Sequence, residues 1–130
     1  MYEPIRTKSV QSTAGADFPH RTREEELDTQ LAGHLSGLLT VTDELGLGET
    51  AERIAQQLTR LRGTPPARHT APTGEDRPEL HRRALALAGR ALVVAASRAD
   101  TASAILAAEC MDAHTAALNT LQTSRLITAH

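Results

Sequence analysis

The stretch that decides the fold is ELHRRALALAGRALVVAASRADTASAILAAECMDAHTAALNTLQ, residues 79–122. It holds no proline and a single glycine, Gly89. Between Ala84 and Ala117 alanine fills 14 of 34 positions. Alanine is the strongest helix former, because it loses no side-chain entropy and buries no polar group. From Ala84 to Ala108 the only charges are Arg90, Arg98 and Asp100. The stretch therefore reads as a helix covered over most of its circumference.

Its apolar residues form two rows. One is Leu80, Ala84, Leu87, Ala91 and Val94; the other starts at Leu85, Ala88 and Leu92 and continues in phase through Leu106, Cys110, Ala117 and Leu121. Asp76, Pro78 and Glu79 supply the N-cap, first-turn proline and acidic first turn of a helix start. A single helix over about 77–122 would be about 69 Å long at the α-helical rise. A compact chain of this size has a radius of gyration of about 14 Å, which cannot enclose such a rod. Either the helix breaks near 97–101, with Ser97 or Asp100 as a new N-cap, or the molecule is elongated and pairs with itself. The unbroken phase and the lack of Gly or Pro around 97–101 favour one helix and a homodimer.

Upstream, Thr22 and Glu25 have capping-box spacing, and Glu24, Glu25, Glu26 and Asp28 suit a helix N-terminus. Leu27, Leu31, His34, Leu38, Val41 and Leu45 then follow at heptad spacing, ending at Gly46 and Gly48. This predicts a helix over about 22–45. A second amphipathic helix, about 49–62, carries Ala51, Ile54, Leu58 and Leu61 on one face and ends at Gly63. Residues 63–78, rich in proline and glycine, read as a flexible linker, and residues 1–19 as a flexible arm whose Tyr2, Ile5 and Phe18 are its only large anchors. The expected architecture is all-α: an antiparallel bundle of three to four helices in one domain, 20–126.

Composition narrows the function classes. Aromatics make up 2% of the 130 residues, so the core is aliphatic and relies on long helix interfaces. A formal charge of −2 gives nucleic acid no general attraction. The lone Cys110 excludes an internal disulfide and suits a reducing compartment. No charge-free run is long enough for a membrane span, and no apolar leader opens the chain, so a cytoplasmic location is expected.

Several residues stand out against that frame. Gly33 and Gly37 lie one turn apart inside the first helix, where each costs about 0.5–1 kcal/mol against alanine. Close approach of the alanine-rich helix is the reading their spacing favours over a ligand. His34 stands at a seam position where leucine is expected and could fix register or oligomeric state. Together with Leu87, Ala91 and Val94, these residues form the expected interface. Cys110 and His114 share a helix face, a thiol and an imidazole at metal-ligand spacing, but two ligands do not complete a site. No glutamate precedes a histidine by three, which removes the di-iron carboxylate bundles, and no nucleophile elbow, P-loop or dinucleotide glycine pattern occurs. Thr42–Leu61 has the cadence of a helix-turn-helix with Arg53, Arg60 and Arg62 on its second helix, but Glu52 stands where an apolar residue is needed and Ile54 is out of step.

The expectation is a non-enzymatic helical module for oligomerisation or for binding a helical protein partner, with no cofactor and no catalytic or metal-site residues assigned. A helix-turn-helix regulator over 42–61 and a small-ligand or metal-binding bundle are the alternatives.

Overall fold

A computed structural model describes residues 7–68 and 76–129, with side chains over 22–68 and 76–127. Four helices follow in order: α1 Thr7–Leu45, α2 Gly48–Arg62, α3 Arg77–Ser97 and α4 Thr101–Ala129. Helix packs on helix throughout, an all-α bundle. Among the described residues, no helix is long and apolar enough to cross a membrane.

Helix α1 starts well before the expected Thr22. A capping box works only where the chain enters a helix; with residues 7–21 already helical, the N–H groups after Thr22 have carbonyl partners one turn back. Residues 7–19, expected as part of an arm, thus belong to α1, while Tyr2, Ile5 and the Phe18 side chain lie outside the described residues. At the other end Gly46 adopts φ 76°, the left-handed C′ conformation its position predicts, and Gly63 does the same for α2 at φ 81°.

The alanine-rich stretch is two helices. After Ser97 the chain closes a Schellman turn: the Asp100 N–H donates to the Ala95 carbonyl at 2.8 Å and the Ala99 N–H to that of Ala96 at 3.0 Å. The left-handed residue is Ala99, at φ 58°, where glycine is usual. Asp100 then caps α4, its carboxylate accepting the Ser103 N–H at 3.2 Å and the Ser103 hydroxyl at 3.0 Å. The single rod over 77–122 is corrected on this ground: the cap at Asp100 supplies the break that the apolar phase conceals. Asp76 flanks α3 as expected but makes no side-chain cap bond.

Ion pairs fix the helix directions. Arg98 meets Asp28 at 2.9 Å at one end of α3, and Arg77 reaches the Leu45 carbonyl at 3.4 Å at the other, so α1 and α3 are antiparallel. Arg60 meets Asp100 at 2.9 Å and Arg53 meets Glu109, so α2 and α4 are antiparallel too. Helices α1–α2 and α3–α4 form hairpins; α1 faces α4, and α2 faces α3, only across the diagonal. Helices α2 and α3 run the same way. After Gly63 the chain is held against α1 and α2 by Arg68, which grips Asp43 through Nε and Nη2 at 3.0 and 2.9 Å and reaches Glu52 at 3.3 Å.

The core follows from complementary sizes. Helix α1 contributes Leu31, Leu35, Leu38, Leu39, Val41 and Leu45, and α2 contributes Ile54 and Leu58. Helix α3 meets them with Ala84, Ala88, Ala91 and Ala95, whose short side chains leave room for the leucines. Large residues of one hairpin fill the space that the small residues of the other leave open.

Candidate functional site

The buried rows of α3 and α4 each contain a histidine, which does not fit an aliphatic seam. On α3 the row is His81, Ala84, Ala88, Ala91 and Ala95; on α4 it is Ser103, Ala107, Cys110 and His114. The two histidines lie about equally far from the turn at Arg98–Asp100, so closing the hairpin brings them opposite each other. Their Nδ1 atoms are 2.9 Å apart and their ring centroids 5.1 Å, with planes inclined at 52°. His81 is 5% exposed and His114 2%.

At that distance one ring must donate its Nδ1–H and the other accept it, so the two carry opposite tautomers. Protonating either would set a charge in an alanine seam beside a second imidazole. Burial, and then the neighbouring His81, push the His114 pKa down to about 4. Burial and the Arg77 guanidinium push His81 down as well. Both rings are therefore uncharged at neutral pH.

They line a pocket of about 280 Å³ whose mouth lies between α2 and α4. Leu47, Thr50, Ala113 and Ala117 form its walls, with Cys110 one turn from His114. Arg53 and Glu109 face each other at the rim, in a direct ion pair. Burial pushes the Cys110 thiol up, Arg53 opposing and Glu109 reinforcing, so the sulfur is a thiol and not an activated nucleophile. No three His, Cys, Asp or Glu side chains among the described residues converge on one point. The pocket has the character of a small binding site: apolar walls and a few polar groups at its base.

The residues expected at an interface are distributed differently. Gly37 is approached closely by α3, since a Cβ there would stand 3.4 Å from both δ-carbons of Leu87. Gly33 is exposed, and nothing comes within 4 Å of such a Cβ, so its presence has no packing explanation in the fold. Ala91 and Val94 are buried inside the chain, and Leu87 is partly buried against the same core. The half-buried His34 borders a shallow surface hollow with Ala86, Gly89, Arg90 and Val93. Arg53 and Arg60, the arginines of the helix-turn-helix reading, are committed to Glu109 and Asp100 of α4.

His81 went unread in the sequence because its partner lies in another helix, while Cys110 and His114 drew attention as neighbours within one. The available signal was the heptad spacing His81–Ala84–Ala88–Ala91–Ala95, which sets that histidine on the most buried line of α3. No family model matches the chain, and comparison with curated proteins and with solved structures gave no match.

Proposed function

We propose that the protein is a non-catalytic interaction module that pairs, through the outer face of its α3–α4 hairpin, with a second copy of itself. One observation carries the reading: Val93 is 65% exposed, beside Ala86, Gly89 and Arg90, and Ile105 is 52% exposed beside a run of alanines. Ile105 borders a shallow groove of about 260 Å³ lined mainly by alanines, Ala95, Ala96, Ala104 and Ala108 among them, with Asp100 and Thr101 at the turn. Alanine surfaces let helices approach closely, and a two-fold axis would set each Ile105 into the other copy's groove. The only charges from Ala91 to Ala108 are Arg98 and Asp100, and these are engaged with Asp28, Arg60 and each other. The face therefore offers a partner apolar area with little to desolvate.

Light scattering behind size exclusion tests this. A dimer at micromolar concentration that Ile105→Glu converts to monomer, with helicity unchanged, is the expected result. A wild-type monomer over the same range would overturn it. Leu87→Glu is unsuitable as the probe, because Leu87 packs on Gly37 within the chain.

A further inference from the structure

We propose that His81, His114 and Cys110 form a binding site for one zinc-class cation at the base of the pocket between α2 and α4. The pair is expensive to keep. Two imidazoles are withdrawn from water into a seam of alanines, and one shared hydrogen bond offsets only part of that desolvation. Leucine or alanine at both positions would continue the seam with no polar atom to satisfy. What the histidines add is two ring nitrogens held side by side 2.9 Å apart, with a third donor, Cys110, lining the same pocket.

The geometry lies close to that of a bis-imidazole chelate. Zinc–nitrogen bonds of about 2.05 Å at a tetrahedral angle set the two nitrogens about 3.3 Å apart. The present Nδ1···Nδ1 separation is 2.9 Å, so the nitrogens must part by a few tenths of an ångström and both rings must turn until their lone pairs meet off the line that joins them. The proton now shared between them moves to the Nε2 of its own ring through solvent, and the neutral imidazoles bind without net proton loss.

Cys110 supplies the third donor. It lies four residues before His114 on the same helix face and lines the same pocket. Its sulfur does not converge with the two nitrogens in the present rotamer, so binding requires a turn about the Cα–Cβ bond. A thiol and two imidazoles suit zinc and its cobalt surrogate and disfavour magnesium or calcium. Ligation by sulfur deprotonates the thiol, releasing one proton per ion to solvent. The fourth position opens on the pocket, where water fits.

The full chain, freed of metal by chelator and dialysis, should be titrated with cobalt(II) and then zinc(II). Expected are one ion per chain, a sulfur-to-cobalt charge-transfer band in the near ultraviolet, and release of one proton. Cys110→Ser should abolish the band, and His81→Gln and His114→Gln should each weaken binding by about 100-fold or more, since even the groups behind a ligand are worth about 10–100-fold. Should those variants fail to fold, zinc titration of the ¹⁵N-labelled wild type gives the same answer. The ring nitrogens of His81 and His114 must shift, while those of His20, His34, His69 and His130 stay in place. The proposal fails if no ion binds at stoichiometric concentration, if the band is missing, if the two ring signals do not move, or if folded histidine variants bind as tightly as the wild type.

Discussion

The two hairpins solve the same packing problem in opposite ways. The α1–α2 hairpin buries chiefly leucine and isoleucine and turns on Gly46; the α3–α4 hairpin buries chiefly alanine, with Leu80 and Leu106 as its large residues and a serine and two histidines among them, and turns on Ala99. In the first, each side chain removes much apolar area from water, and the turn sits on a residue free to adopt positive φ. In the second, most contacts are small, two histidines interrupt the seam, and the turn holds an alanine in a conformation that costs about 1–2 kcal/mol. The first hairpin is built for stability. The second gives up stability at several points, and the histidine pocket and the exposed apolar face both lie on it.

The contrast can be broken most sharply in the core. Leu35→Ala should cost about 3 kcal/mol or more in urea unfolding, because Leu35 is fully buried among large neighbours. Ala88→Gly, at an equally buried site of the other hairpin, should cost about 1 kcal/mol. Equal losses would remove the distinction.

A comparable effect should appear with pH in the metal-free chain. The ordinary histidine value of 6.5 applies to His114 in the unfolded state, and about 4 to the folded state. The native state therefore binds fewer protons between those values, and stability falls as pH drops from about 6.5 to about 4. For His114 this amounts to roughly 3 kcal/mol, and His81, shifted the same way, adds to it. His114→Gln should flatten this part of the stability profile, measured by denaturation at stepped pH.

Much of this molecule can be read from the residues alone. Gly46 and Gly63 mark their helix ends because left-handed backbone selects glycine, and the Leu31–Leu45 seam announces its buried face through its period. The α3–α4 turn lies where the sequence allows a break, near 97–101, but an unbroken helix is the favoured reading because Ala99 is the best helix former standing in a non-helical conformation. Only Asp100, with Ser103 three residues on, betrays it. The helix before Thr22 was obscured by Gly15 and Pro19, which argue for a coil by composition. The His81–His114 contact could not be read from spacing within a helix, because it depends on where the chain reverses.

Smaller substitutions sharpen the turn itself. Asp100→Ala removes the cap to Ser103 and the acceptor for Arg60 and Arg98, and should cost about 1–2 kcal/mol. Burial alone pushes the Asp100 carboxyl up, but hydrogen bonds from Arg60 and Ser103 outweigh it and hold the group below its usual range. The cap therefore stays charged well into acid. Ala99→Gly should raise stability by about 1 kcal/mol, whereas Gly46→Ala should lower it by about as much, each read as a shift in the thermal midpoint.

The separation in sequence between the end of α2 and the start of α3 also bears on how the bundle assembles. Each hairpin joins neighbours through a turn of a few residues, so most of its contacts are local in sequence and close quickly. The two hairpins meet only after the long segment between them has closed a loop, which orders much chain before any contact rewards it. Contacts between the hairpins therefore carry the larger loop-closure cost, and their docking is expected to be slower than the closing of either hairpin. The Arg68 grip on Asp43 and Glu52 ties that segment back to α1 and α2, shortening the span still to be closed when α3 and α4 arrive.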